Sequence, residues 1–303
     1  MKELSLENLS VKYNYGALAV AKLSLHAKKG SIYTVFGGAE SGKTSLLKCL
    51  AGIIPSIEGK IFADGKDITK SSVRDRNVCL VYEDGCFFEN KSARYNIEYP
   101  MKIRKVSQAD MEAKVFEAVK DIGFDEKKLS VKVKKLNATD RFLLSLARAY
   151  GRQADLYLFD DPLKGLGEDR KIFFPMLYEF MNKKAMDGVT VYATTDAEEC
   201  RIINTECIVL NYGICLQSGT VCEIVNNPRS VGVLRSFCPK EALYEGTIVA
   251  EEEKIYLVSC GKRELNRAKL ISDIFIGKEC IVHNRGDKVA LYDKRSEKLI
   301  YFD

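Results

Sequence analysis

The sequence lacks the features by which a chain would hold a structural metal or cross a membrane. It has two histidines, His26 and His283, and no Cys-x-x-Cys pair among its ten cysteines. Zinc sites usually need such spacing, so we expect reduced thiols that pack as small apolar side chains. No apolar run reaches the roughly 18 residues of a membrane span, and the stretch from Met1 to Leu4 is no signal peptide. These absences predict a cytosolic chain.

Neither basic nor acidic residues are in large excess over the other. The 47 basic and 42 acidic residues leave a net charge of +5, spread over 303 residues. This excess is too diffuse to favour nucleic acid as a partner, and none is expected. The length suits one large α/β domain and a small second one.

The strongest motif is the phosphate-loop pattern Gly-x-x-x-x-Gly-Lys-Ser/Thr at residues 37–44. A buried strand, Ser31 to Phe36, precedes it, and apolar residues at helical spacing follow it. Backbone N–H groups at the start of that helix would surround a phosphate. Lys43 would reach the β- and γ-phosphates, and the Thr44 hydroxyl would bind Mg²⁺. The predicted nucleotide-binding residues here are Gly37, Gly38, Ala39, Glu40, Ser41, Gly42, Lys43, Thr44 and Ser45.

Glu40 is unusual, because its carboxylate should repel the phosphates. A similar loop occurs in the α subunits of heterotrimeric G proteins. However, neither Asn90–Ala93 nor Asn182–Ala185 completes the Asn-Lys-x-Asp motif of guanine-binding proteins. A GTPase is therefore not expected.

Further strands and helices alternate along the chain, which predicts a mainly parallel sheet with helices on its faces. Residues 59–66 read as a hairpin, and residues 88–152 read as helical. The apolar strand 156–161 ends in the paired acids Asp160 and Asp161, and a P-loop protein uses such an Asp in the Mg²⁺ shell. Tyr13 or Tyr15 could stack on a nucleotide base.

The order of these segments resembles the ATP-binding subunit of ABC transporters, and more narrowly the maltose- and glycerol-phosphate-importer type. The resemblance places the Q-loop at Glu83, which it implies as a metal ligand beside Thr44 and Asp160. It makes Asp161 the general base and Thr195 the H-loop residue, and it favours Tyr15 for base stacking. It also places the signature, which contacts ATP across a dimer, at Leu136, Asn137, Ala138, Thr139 and Asp140.

The departures from this family pattern concern catalysis. Glu83 replaces the Q-loop glutamine, and Asp161 replaces the catalytic glutamate. Thr195 replaces the H-loop histidine, and a threonine cannot take a charge near neutral pH as a histidine can. Ala138-Thr139 replaces the Gly-Gly of the signature, and Gly167 replaces the D-loop aspartate. Lys43, Thr44 and Asp160 are kept. We therefore expect binding of ATP and Mg²⁺ with weak or absent hydrolysis, although Asp161 and the altered signature could also work slowly.

The predicted organisation is an ABC ATP-binding domain over residues 1–238, with a helical subdomain at about 88–152, and a small OB-like β domain over 239–303. Five short strands are expected in the second domain. It is about half the length seen in maltose-type subunits, so a full sugar-responsive regulatory surface is not expected. Its strands are charge-balanced, which favours a structural or dimerisation role over nucleic-acid binding.

The resemblance implies an importer subunit for a sugar, polyol or related solute. It would lie on the cytoplasmic face of the plasma membrane, held by a permease docked near Glu83 and residues 88–105. It would form a homodimer, or a heterodimer with a consensus paralogue. The alternatives are a non-hydrolysing regulatory subunit and, less favoured, a small-molecule kinase, because Arg141, Arg148 and Arg152 suit the signature helix better than a kinase lid.

Overall fold

A computed structural model describes residues 1–12, 16–238, 243–251, 254–258, 262–265, 272, 275–285 and 288–302. The chain divides into two compact units. The first comprises Met1–Glu206 with Leu210–Ile214, and the second comprises Cys207–Val209 with Cys215–Asp303. The predicted boundary at residue 238 stays a prediction.

A four-stranded antiparallel sheet opens the first unit. Its strands are β1 (Glu3–Lys12), β2 (Leu18–Lys28), β4 (Ser56–Ala63) and β5 (Lys66–Asp67), in the order β2-β1-β4-β5. The predicted hairpin is present, and its turn residues Asp64 and Gly65 both have positive φ, as a two-residue hairpin turn requires.

The central sheet has the order β10-β9-β3-β8-β7-β6. Its strands are β3 (Ile32–Phe36), β6 (Val78–Tyr82), β7 (Leu156–Asp160), β8 (Val189–Thr194), β9 (Glu206–Asn211) and β10 (Ile214–Thr220). The pairs β3–β8, β8–β7 and β7–β6 are parallel. Every residue of β3, β7 and β8 is buried, as continuous apolar strands covered on both faces should be. The predicted α/β fold is confirmed.

Eight α-helices connect the strands in the part of the chain that the structure describes. They are α1 (Lys43–Leu50), α2 (Ala93–Ile103), α3 (Gln108–Ile122), α4 (Ala138–Tyr150), α5 (Arg170–Asp187), α6 (Ala197–Ile203), α7 (Val221–Asn226) and α8 (Val231–Phe237). Three 3₁₀ segments lie at Glu126–Lys128, Val133–Lys135 and Lys164–Asp169.

Helices α2, α3 and α4 form the predicted helical subdomain around their own apolar core. Ile97, Val115 and Leu144 are among its fully buried members. Ser92, Ser107 and Asn137 cap the N-termini of the three helices with their side chains, which satisfies backbone donors that the helix leaves unpaired. The subdomain is therefore a small structural unit with its own packing.

The second unit contains a six-stranded antiparallel sheet of order β13-β12-β11-β14-β15-β16. The strands are β11 (Leu243–Glu251), β12 (Lys254–Val258), β13 (Lys262–Leu265), β14 (Glu279–Arg285), β15 (Lys288–Asp293) and β16 (Leu299–Phe302). The small all-β domain is confirmed. The sequence predicted five of these strands and missed β13, whose Lys-Arg-Glu-Leu sequence has few β-forming residues.

Candidate nucleotide site

The parallel strands bring the predicted site residues to one edge of the central sheet. Tyr82 pairs with Asp160, Asp160 with Ala193, and Phe36 with Thr194. The residues that follow these strand ends are Gly37, Glu83, Asp161 and Thr195. Ligand sites of open α/β sheets lie at such carboxyl ends. The sheet thus brings together the positions predicted for the phosphate loop, the Q-loop residue, the general base and the H-loop residue.

The loop 37–42 needs glycine at two positions for reasons of space. A Cβ on Gly42, where φ is 101°, would lie 2.1 Å from the carbonyl oxygen of Ala19. A Cβ on Gly37 would lie 2.4 Å from the carbonyl oxygen of Leu210 and 2.6 Å from Ser41 Oγ. Gly38 has open space on its Cβ side. The two glycines therefore keep the loop tight around the start of α1, as a phosphate cradle requires.

Lys43 lies inside this loop and is only 8% exposed. Its ammonium donates to the carbonyl oxygens of Gly37 at 2.6 Å and Gly38 at 2.7 Å, and to Ser41 Oγ at 3.1 Å. Burial lowers the pKa of Lys43, while Asp161 and Asp160 oppose that shift. A buried cation surrounded by loop carbonyls fits an anionic phosphate, which would replace neutral acceptors with charged ones.

Thr44 and Asp160 form the predicted metal-binding pair. The Thr44 hydroxyl donates to Asp160 Oδ1 at 3.0 Å. Burial raises the pKa of Asp160, Thr44 opposes the shift by its hydrogen bond, and the neighbouring Asp161 adds to it. A hydroxyl and a buried carboxylate in contact are the hard oxygen donors that Mg²⁺ prefers. These residues fit a magnesium-bound nucleotide.

Asp161 stands in a buried network that the sequence did not reveal. Thr195 Oγ1 donates to Asp161 Oδ2 at 3.0 Å, so the two predicted catalytic positions are in contact. Arg170 Nη2 lies 2.8 Å from Asp161 Oδ1. Asp161 itself has a φ of 43°, an uncommon conformation for a non-glycine residue and one that clusters at functional sites.

Glu199 on α6 is the second carboxylate that Arg170 contacts in this network. It accepts from Arg170 Nε at 2.6 Å, from Thr194 Oγ1 at 2.5 Å and from Tyr192 Oη at 2.5 Å. Burial opposes the charge of Arg170, but the hydrogen bond to Glu199 and the charges of Asp161 and Glu199 outweigh it, so the pKa of Arg170 is raised. Sequence reasoning missed Arg170 and Glu199 because their spacing along the chain indicates no contact.

Glu83, predicted as a metal ligand, is paired with a cation. Lys164 Nζ donates to Glu83 Oε2 at 2.8 Å, and both side chains are about half exposed. Lys164 was not predicted. Its position four residues after Asp160 indicates a contact with Glu83 only when β6 and β7 are known to be neighbouring strands.

The signature segment begins helix α4. Asn137 Oδ1 accepts from the backbone N–H of Asp140 at 2.8 Å, and Asp140 receives Lys128 Nζ at 2.7 Å on both carboxylate oxygens. Leu136 is buried, whereas Ala138 and Thr139 are more accessible. The segment is therefore a capped helix start. Its predicted contact with ATP across a dimer stays a prediction.

The other predicted site residues lie at the exposed part of the phosphate loop or outside the described residues. Tyr13 and Tyr15 lie outside the described residues. Ala39 and Glu40 are exposed, and Glu40 has a φ of 59°. Nine cysteines of the described segments are free, and no cluster of metal-binding side chains occurs there. Within those segments no helix is long and apolar enough to span a membrane.

Comparison with known proteins agrees with this geometry. Residues 20–164 match the family model described as ABC transporter. The Fe(3+) ions import ATP-binding protein FbpC of Pasteurella multocida is 28% identical over 253 residues, covering 82% of this chain and 70% of that protein. The protein of the same name from Vibrio cholerae is 28% identical over 245 residues, covering 80% of this chain and 68% of that one.

Solved structures show the same fold. The dimeric ATP-binding cassette MJ0796, in a post-hydrolysis state with ADP and Pi, has a TM-score of 0.64 at 19% identity, covering 72% of this chain and 98% of that chain. A bacterial Atm1-family ABC exporter with ATP bound has a TM-score of 0.66 at 19% identity, covering 80% of this chain and 42% of that chain. The chain therefore has the fold of a P-loop ATPase of the ATP-binding-cassette type.

Proposed function

We propose that this chain is the ATP-binding subunit of an ABC importer, located on the cytoplasmic face of the membrane through its permease. The observation that carries the proposal is the intact set of Lys43, Thr44 and Asp160 in a glycine-dependent loop. This set binds Mg-nucleotide in P-loop proteins. The match of residues 20–164 to the ABC transporter model supports the class.

The relatives bear on the solute. Those compared above are named for the import of Fe(3+) ions, so the expected sugar or polyol has no support from them. We propose ferric iron as the first solute to test. Among the residues that the structure describes, no cluster of His, Cys, Asp or Glu side chains could hold a metal ion, and in such an assembly the choice of solute would lie with the permease.

The chain's own residues would act on ATP as follows. Lys43 would exchange its contacts with the carbonyls of Gly37 and Gly38 for phosphate oxygens. Thr44 and Asp160 would hold Mg²⁺, which supplies charge neutralisation at the phosphates. Asp161 would accept a proton from the attacking water, because its carboxylate follows directly after the Mg²⁺-binding strand.

We propose that this last step is slow. Asp161 Oδ2 accepts a hydrogen bond from Thr195, and Oδ1 lies 2.8 Å from Arg170 Nη2 without a hydrogen bond. The threonine cannot carry the charge that a histidine could supply. Losing a positioned base or a stabilising donor costs about 10²- to 10⁴-fold in rate. Slow turnover with retained binding is the expected behaviour.

A groove between the helical subdomain and β6 suits the permease. It has a volume of about 380 Å³ and is lined by Cys86, Phe88, Tyr99, Pro100, Arg148 and Arg152, among others. Phe88 is 44% exposed and packs edge-on against Tyr95 and Tyr99. An aromatic rim over two arginines would accept a short amphipathic helix. Cys86, which lines the groove, lies three residues after Glu83 in the chain.

The test is ATP affinity and single-turnover hydrolysis of the purified chain, beside the double variant Thr195→His, Asp161→Glu. The two positions are in contact, so they are changed together. Binding with slow turnover that the variant accelerates would support a weakened ATPase. Fast turnover by the native chain would contradict the slow step, and absence of ATP binding would overturn the proposal itself.

A second candidate function is a nucleotide-binding regulatory subunit without turnover. The observation that favours it is the double engagement of Asp161 by Thr195 and Arg170. In this case ATP would stay bound unchanged for many hours, and the double variant would not hydrolyse it. A dimer with a consensus paralogue would then supply hydrolysis.

A further inference from the structure

Lys164 and Glu83 form a charged pair beside the nucleotide site that the established P-loop parts do not include. Glu83 follows β6 and Lys164 begins the 3₁₀ segment after β7. The two strands are parallel neighbours in which Tyr82 pairs with Asp160. The pair therefore bridges the two strand ends next to Asp160 and Asp161, at the edge where the phosphates would lie.

The ion pair between Lys164 and Glu83 is exposed, so Lys164 can exchange Glu83 for another anion. Its Nζ–Oε2 distance is 2.8 Å, yet the Lys164 side chain is 57% exposed and that of Glu83 41% exposed. An exposed ion pair contributes little stability, so a stronger anion can displace Glu83. A lysine ammonium is a compact charge on a flexible stem that suits phosphate.

The charges of the two aspartates act on Lys164 as well. Its pKa is raised first by the hydrogen bond and charge of Glu83, and further by Asp161 and Asp160. Lys164 also acts on Lys43 by lowering its pKa. The same two carboxylates therefore favour the charged form of both Lys164 and Lys43.

We propose that Lys164 is a γ-phosphate-binding residue that Glu83 holds in the absence of nucleotide and releases when ATP binds. The inference rests on the proposed function, because it requires ATP at the P-loop. The exchange breaks the Glu83–Lys164 contact and forms a lysine–phosphate contact, so no proton moves. In this exchange Glu83 acts as the competitor of the phosphate for Lys164, and not as the Mg²⁺ ligand that the family resemblance implies.

The test is equilibrium binding of Mg-ATP, a non-hydrolysable ATP analogue and Mg-ADP to the native chain and three variants. Lys164→Gln should weaken the ATP and analogue affinities about three- to tenfold and leave ADP unchanged, as expected for one exposed charge contact. Glu83→Gln should strengthen ATP binding by a similar factor, because it removes both the competitor and a negative charge. Lys171→Gln, an exposed lysine on α5, is the matched control and should change neither.

The outcomes separate the two proposals. Equal weakening of ATP and ADP by Lys164→Gln, or no change in either, overturns the role of Lys164 while nucleotide binding stands. A Glu83→Gln variant that binds ATP more weakly overturns the exchange. If the native chain binds no nucleotide, the proposed function fails, and the inference with it.

Discussion

Arg170 and Asp161 form a buried ion pair, with the guanidinium Nη2 2.8 Å from Asp161 Oδ1. The same guanidinium donates to Glu199 on its other side. One arginine therefore links the catalytic candidate Asp161 to helix α6. Both side chains are about nine-tenths buried, so the pair is shielded from solvent and from salt. Arg170 thus links the residue that follows β7 to helix α6 through charged contacts.

Removal of the Arg170 charge should destabilise the chain strongly. Arg170→Gln leaves Asp161 and Glu199 buried without their cation, which typically costs about 3–5 kcal/mol. Arg170→Lys should cost less, because it keeps the charge and loses only the forked geometry. Urea unfolding measures the free energies, with Lys171→Gln as an exposed control expected near zero. A loss below about 1 kcal/mol for Arg170→Gln would show that the network contributes little.

The role of Asp161 can be tested without large changes in shape. Asp161→Asn should lower the single-turnover hydrolysis rate by about 10²- to 10⁴-fold, because an amide cannot accept the proton of the attacking water. Mg-ATP affinity should persist, since Lys43 and Asp160 are unchanged. Asp187→Asn, on the exposed end of α5, is the control for the loss of one charge. An unaltered hydrolysis rate in Asp161→Asn would exclude this residue as the base.

Strand and loop chemistry made much of this site predictable. The apolar run Leu156–Asp160 forms the predicted strand, and the loop after β3 leads into helix α1 as predicted. The nucleotide-binding roles of these residues stay predictions. Arg170, Glu199 and Lys164 could not be found in this way. Each meets a partner at least nine residues away in the chain, and the meeting depends on strand order, which periodicity does not contain. Strand β13 was missed because its packing, rather than its propensity, makes it a strand.

Gly42 and Gly38 should differ sharply in their tolerance of a methyl group. Gly42→Ala places a Cβ 2.1 Å from the Ala19 carbonyl at a φ of 101°, so we expect a loss of about 2 kcal/mol or more. Gly38→Ala meets nothing within 4 Å and should leave the free energy of unfolding nearly unchanged. Thermal or urea unfolding of the nucleotide-free proteins makes the comparison. Equal stability of the two variants would mean that the loop relaxes freely around Gly42.

The buried carboxyl of Asp160 should make stability depend on pH. Burial raises its pKa, with Asp161 adding and Thr44 opposing, so the folded chain holds this proton more tightly than the unfolded chain. The group therefore costs stability as pH rises from the ordinary aspartate pKa of about 3.9 through the raised value. Asp160→Asn should be more stable than the native chain at neutral pH, and this gain should vanish below about pH 4.

The measurement for Asp160 is urea unfolding across that pH range without nucleotide, with Asp187→Asn as the exposed control. The same variant should lose the Mg²⁺ dependence of ATP binding, because a carboxylate ligand is gone. A gain that is equal at acidic and neutral pH would contradict the assignment to titration of Asp160. Retained Mg²⁺ dependence would remove it from the metal site.

Glycine substitutions at the start of α4 should lower the stability of the chain and increase its ATP-dependent dimerisation. Ala138→Gly with Thr139→Gly restores the backbone access that the family motif has, so ATP-dependent dimerisation should increase. The change costs up to about 1 kcal/mol per residue, because glycine is a poor helix former. Ala113→Gly on the exposed face of α3 carries the helix cost of one such replacement without touching the signature. Sedimentation with and without a non-hydrolysable ATP analogue measures the dimer. If dimerisation is unchanged in the signature variant, the side chains of Ala138 and Thr139 do not obstruct the opposite site, and another feature of the chain must limit its pairing.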